Sequence, residues 1–123
     1  MQCALLYGGV FVSPVSKEPM VNKCREVLKW YRSHQYLKHA QNSHGVQYRR
    51  VDKEFTQALA YLPVEAQFIL SEWYLKQAAA QDTMEQLALS ETQYYRHKAN
   101  AVGMLVDVWG TKSVTTWHHT LIK

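Results

Sequence analysis

The sequence predicts an all-α fold, a small helical domain that ends in a helix-turn-helix. Three observations predict it. Apolar residues recur at i, i+3/i+4 spacing in successive segments between Met20 and Val108. Pro63 and Gly110 stand where two of those patterns stop. Ser90 carries two independent helix-start signals.

At the N-terminus, "ALLYGGVFV" (4–12) is an apolar run read as a strand or an arm packed on the domain or on a partner. It falls far short of the ~20 residues a bilayer span needs. No basic segment precedes it, which argues against a signal peptide and, with the lack of a span, against a membrane partner. Pro14 and Pro19 bracket a linker, "PVSKEP". From Met20, Val21, Cys24, Leu28, Tyr31 and Gln35 follow helical spacing, widened by Val27, and predict a helix over roughly 19–40. Lys23, Arg25, Lys29, Arg32 and Lys38 are scattered over its solvent side. "QNSHG" (41–45) reads as a loop with Gly45 placed for a turn.

Val51, Phe55, Leu59 and Leu62 mark a second helix that closes at Pro63. Proline also suits the first turn of the next helix, about 63–78. Ala66, Ile69, Leu70 and Trp73 lie on one face of it, with Phe68 and Tyr74 widening that face. Asp82 with Glu85, or Thr83 with Gln86, can form a capping box opening a short helix whose inner side is Met84 and Leu87. Ala88 sits where the chain must bend tightly.

Ser90 and Gln93 form another Ser-x-x-Gln box, and Leu89 and Tyr94 are spaced for a hydrophobic staple. The buried stripe continues through Ala101, Leu105 and Val108, with Val102 alongside, and Gly110 ends the helix. The expected organisation is an arm (1–18), an N-terminal helical region (19–61), a helix-turn-helix domain (62–110) and a tail (111–123). The tail alternates weakly from Val114 to Trp117, which predicts a short strand; Trp117 and Leu121 are alternative anchors for a partner copy.

Charge is unevenly spread. Residues 17–53 carry a balance of +6, residues 54–95 one of −5 and residues 96–123 one of +3. Partner-facing positive charge therefore flanks an acidic middle. In a helix-turn-helix the second helix puts its N-terminal residues against base edges in the major groove. Behind Ser90, the outward positions are Glu91, Thr92, Gln93, Tyr95, Arg96 and Asn100. Gln can pair with adenine, Arg with guanine, Glu with cytosine, and Thr can touch a thymine methyl. Lys98 and His97 lie where a phosphate could be reached, and Lys29 and Arg32 of the basic first helix would add to that grip. Each good bidentate contact discriminates by ~1–3 kcal/mol. That gives preference rather than strong site selection, so a second copy or the basic first helix would have to help.

Other chemistries find little support. Cys3 and Cys24 match neither a disulfide framework nor a zinc spacing, which fits a reducing cytosol. His34, His39 and His44 are spaced by five, off the i, i+4 geometry of a helical metal site, and His118 and His119 would point apart on a strand. No Gly-rich phosphate loop, nucleophile elbow or paired-carboxylate motif is present, so neither an enzyme nor a cofactor is expected.

The span 62–105 also resembles the fourth region of bacterial sigma factors. More closely, it resembles the phage ArpU-like family of late-gene transcriptional regulators, to which RinA-type activators are similar. "LP" (62–63), "ILSEWYL" (69–75) and "LALSETQYYRHKANA" (87–101) carry the likeness, and "NKCREVLKWYRS" (22–33) is similar to that family's N-terminal helix. His97, Ala99 and Asn100 stand where the family is usually more basic, and Ala88 replaces its usual acidic residue or glycine. The resemblance implies a phage- or prophage-encoded activator that binds double-stranded DNA at a late promoter, in the bacterial cytoplasm. Two alternatives share the fold. One is a sigma-like interaction module whose Glu65, Glu72, Trp73 and Tyr74 contact host RNA polymerase or another phage protein. The other is a DNA-packaging recognition subunit. Two packed helices that never touch nucleic acid are the plainest reading of the same pattern.

Overall fold

The computed structural model describes residues 14–122, and every element among them is helical. The expected strand or arm over 4–12 lies outside the described residues. Six α-helices follow in order: α1 (Pro14–Ser33), α2 (Ser43–Leu59), α3 (Val64–Leu70), α4 (Ala80–Leu87), α5 (Glu91–Trp109) and α6 (Thr111–Leu121).

The first helix departs from expectation at both ends. It begins at Pro14, so "PVSKEP" is helix rather than linker, with Pro19 inside it. Pro19 cannot donate to the Val15 carbonyl, so the second turn of α1 carries one hydrogen bond fewer. The C-terminal end comes at Ser33, well before residue 40. There Ser33 Oγ donates to the Trp30 carbonyl at 3.1 Å and His34 Nδ1 reaches it at 2.7 Å, which competes with helix continuation. A single 3₁₀ turn, Gln35–Leu37, follows.

Of the segment expected as a loop at 41–45, only residues 41–42 lie outside a helix, and Ser43 begins α2. Asn42 is its N-cap, with Oδ1 accepting from the Gly45 N–H at 3.0 Å. Gly45 is needed for closeness rather than for a turn. A Cβ there would lie 2.0 Å from the Ala40 carbonyl oxygen.

After Pro63, α3 runs into a wide π-helical turn, Ser71–Leu75, closed by Lys76 N–H to the Ser71 carbonyl at 2.9 Å. The i→i−5 bond takes in one extra residue and turns the following side chains by about 100°. Tyr74 is consequently buried and Trp73 only half-buried, the reverse of the order expected from helical spacing. Gln77 leaves the turn with φ 55°.

Neither expected capping box opens α4. The helix starts earlier, at Ala80 after an Ala79 N-cap, so Asp82 and Thr83 fall inside it. It ends in a Schellman motif: Ala88 is left-handed (φ 56°, ψ 44°), Leu89 N–H reaches the Met84 carbonyl at 2.9 Å, and Ala88 N–H reaches Glu85 at 3.3 Å. Residues 88–90 thus turn the chain directly into α5. Leu89 and Tyr94 pack in one apolar cluster with Ile69 and Met84, as a staple does.

The α5 stripe holds Tyr94, Ala101, Val102 and Leu105. Its last turn differs from expectation: Val108 is exposed, while Val106 and Trp109 are buried. The tail is a helix rather than a strand. With its N-terminal residue Thr111 directly after Gly110 (φ 99°), α6 folds back onto α1, and Val114 and Trp117 are buried in the core of their own chain. Trp117 is therefore not a free dimer anchor. Trp117 and Trp109 both donate their indole N–H to Glu54 Oε1, each at 2.9 Å, which ties α5 and α6 to α2.

Buried residues of α1, α2, α3, α5 and α6 form one continuous cluster around Leu28, Tyr31, Phe55, Leu70 and Leu105. The boundary expected at 61/62 therefore runs through a shared core.

Candidate nucleic-acid interface

The N-terminal turns of α5 are exposed. Glu91, Thr92, Gln93, Tyr95, Arg96 and Asn100 all lie open to solvent, whereas Tyr94 is fully buried. The staple to Leu89 and the contact with Ile69 hold Tyr94 inward, and a 3.6-residue period then turns its neighbours outward. No hydrogen bond or ion pair engages the Arg96 side chain among the described residues.

Two of the expected DNA-contacting residues are engaged in capping. Ser90 Oγ accepts from the Gln93 N–H at 3.2 Å, and Gln93 Oε1 accepts from the Ser90 N–H at 2.9 Å. The oxygen that Gln93 would offer to an adenine amino group is therefore already bonded. His97 is also held away from a phosphate role: its Nδ1 lies 2.8 Å from Glu65 Oε1.

Lys98 points elsewhere than the tip of the helix. It sits half-buried in a groove of about 490 Å³ between α1, the π-helical turn and α5. Lys29 and Arg32, named from the sequence as phosphate contacts, line the same groove, as do Arg25, Trp73 and Tyr95. The Lys98 ammonium is 4.2 Å from the Trp73 ring centroid and the Arg32 guanidinium carbon is 3.9 Å from it, both within cation–π range. Arg32 Nε also donates to the Trp73 carbonyl at 2.9 Å. Gln35 Nε2 donates to the Tyr74 carbonyl at 3.0 Å, and Gln77 Nε2 to the Arg32 carbonyl at 2.8 Å. Arg32 of α1 and Gln35 of the 3₁₀ turn thus satisfy carbonyls of the wide turn, and Gln77 in return satisfies one of α1.

Electrostatics follow from this convergence. Burial, then the Arg32 and Arg25 charges, lower the Lys98 pKa from 10.5 to about 8. No carboxylate lines the groove, and none pairs with Arg25, Lys29, Arg32 or Lys98 among the described residues. Two sets of residues proposed separately, on α1 and on α5, therefore meet at one positive concavity, with Tyr95 shared between it and the exposed edge.

Arg25 and Trp73 were not among the residues expected to form the site. Arg25, Lys29 and Arg32 stand at i, i+4 and i+7, a one-face signal present in the sequence. Trp73, expected on the inner face of its helix or as a contact of the interaction module, lies instead in the π-helical turn facing this groove. No group of three or more His, Cys, Asp or Glu able to hold a metal occurs among the described residues, and none of their helices is long and apolar enough to cross a membrane. The arrangement is that of an all-helical domain with an exposed helix edge beside a cationic, aromatic groove. No protein-family model, curated protein or solved structure matches the chain.

Proposed function

We propose that the protein is a sequence-specific DNA-binding regulator of transcription that reads the major groove with the N-terminal edge of α5. The observation that carries this reading is the open line Glu91, Thr92, Tyr95 and Arg96 after a tight Schellman turn, on a helix whose other side is fixed in the core. Base contacts fall to Arg96, Glu91, Thr92 and Asn100. Gln93 and Ser90 act by holding the helix start, and backbone phosphates fall to Lys29 and Arg32 with Lys98. The resemblance to ArpU-like and sigma-region-four helix-turn-helix sequences extends the proposal to a phage or prophage activator of late genes, acting in the cytoplasm of a bacterial host. Host RNA polymerase and a second copy of the chain are its proposed further partners. A DNA-packaging recognition role uses the same contacts on different duplexes.

The test is titration of a duplex from the late region of the source phage or prophage, and of random duplex, at two salt concentrations. A phosphate-dependent binder loses affinity with a log–log slope of ~0.9 per phosphate neutralised. Tighter binding to the cognate duplex and a measurable slope support the regulator. Absence of salt-sensitive binding to any duplex rejects it and leaves the interaction module.

A further inference from the structure

We propose that the groove between α1, the π-helical turn and α5 is a binding site for a phosphate group, gripped by Lys29, Arg32 and Lys98. Three observations carry it. The groove is concave and of about 490 Å³, within the ~300–1,000 Å³ of small-ligand sites. Four cationic side chains line it without a carboxylate. Its walls include Trp73, Tyr74 and Tyr95, whose low polarity strengthens any charge interaction between them.

Like charges held this close repel, a cost that a bound anion removes. The same geometry prepares the grip. Arg32 is fixed by the Trp73 carbonyl and ring, and Lys98 by that ring, so little side-chain freedom remains to be lost on binding. A dianion placed there completes charge-assisted hydrogen bonds to donors that have no anionic partner. An arginine fork suits phosphate oxygens bidentately.

The proposal does not rest on the regulator reading. The phosphate arrives either as part of a duplex backbone lying beside α5 or as a free phosphate ester, and the chemistry of capture is shared. Lys98 is faced by Arg25 and Arg32 from α1, by Tyr74 from the π-helical turn and by Tyr95 on its own helix. An anion among them restores the ammonium form, so binding above neutral pH takes up a proton.

The experiment is calorimetric titration of the full chain with inorganic pyrophosphate at low salt, in buffers of different ionisation enthalpy, at pH 7 and pH 8.5. Saturable binding is expected, with proton uptake at pH 8.5. Lys29→Ala and Lys98→Gln should each weaken it by about tenfold or more. Lys38→Ala, on an exposed residue outside the groove, should leave it unchanged. Should Lys98→Gln fail to fold, the exposed Lys29 variant decides. No saturable binding, or wild-type affinity in folded Lys29→Ala, overturns the proposal. A duplex titration with the same variants assigns the source. Weakened duplex binding with competition by pyrophosphate identifies the backbone phosphate, and unchanged duplex binding identifies a free ester; both support the site. Pyrophosphate binding without duplex binding sinks only the regulator, and the converse sinks only the groove.

Discussion

Ser90 and Gln93 cap each other at the start of α5, each side-chain oxygen accepting the other's backbone N–H, at 3.2 Å and 2.9 Å. Ser90→Ala removes one of these bonds and should cost about 1 kcal/mol of stability. Gln93→Glu keeps the box, because glutamate serves as well at that position, and adds a negative charge favoured by the helix N-terminus. It should therefore preserve the melting temperature while weakening duplex binding through repulsion. Paired thermal melts and duplex titrations check this. A Ser90→Ala protein that melts like the parent would show that the box contributes nothing, and a Gln93→Glu protein that melts like Ser90→Ala would show that glutamate does not keep it.

Ala88 occupies the left-handed region at φ 56°, where a Cβ is strained, and its side chain is exposed. Ala88→Gly should stabilise the turn between α4 and α5 by roughly 1 kcal/mol, since glycine takes that conformation freely. Denaturant midpoints measure it. An unchanged or lower midpoint would place the turn's determinant elsewhere.

Arg96 is exposed and unengaged among the described residues. Arg96→Ala should cost ~1–3 kcal/mol on the preferred duplex and relax selectivity at one base position. Its melting temperature should match the parent. Retained selectivity in a destabilised protein would make Arg96 structural.

Glu54 accepts from two indole N–H groups at once. Glu54→Ala leaves both without their acceptor and should cost about 2–4 kcal/mol, more than one neutral hydrogen bond. Glu54→Gln, which keeps an acceptor oxygen, should recover part of it. Chemical denaturation with tryptophan emission as the probe follows both. Equal stability of the alanine variant would remove Glu54 as the tie between α2, α5 and α6.

These residues also show why parts of the fold were legible. The Ser90 cap, the Leu89–Tyr94 staple and the Gly110 stop are local, set by side chains within a few positions of each other, and the structure has all three. The capping pattern points to a later start for α4 than Ala80 because capping residues compete with tertiary packing. Thr83 is buried in the structure, where a sequence pattern sees only an N-cap. The tail reads as a strand if the run Val114 to Trp117 is taken as a weak alternation, yet Val114 and Trp117, three apart, also fit one helix face, and that is the face buried. Of the candidate site, the exposed edge followed from period alone. The groove did not, because it depends on the wide turn at Ser71–Leu75 and on long-range approach of α1 to α5.

Stability at alkaline pH provides a last check on the groove and core together. Folding stability rises with pH wherever the unfolded chain binds more protons than the folded one. Lys98, lowered to about 8 by burial and by Arg32 and Arg25, releases a proton in the folded state that it keeps to 10.5 when unfolded. Its contribution therefore makes stability climb from about pH 8. Burial acts oppositely on acids of the core. It raises the Cys24 thiol from 9.0 to about 12 and the Tyr74 hydroxyl from 10.0 to about 12, and lifts Tyr31, which also donates to Asp52, further still. The folded state holds those protons after the unfolded chain has lost them, so they make stability fall above pH 9–10. The expected profile climbs between pH 8 and 9 and then turns down. Urea midpoints at half-unit steps should trace it, and Lys98→Met should abolish the climb while leaving the decline. A profile that is flat or falling from pH 7.5 to 9 in the parent protein would show that Lys98 keeps its ordinary affinity for the proton, and that the cations lining the groove are better solvated than their convergence implies.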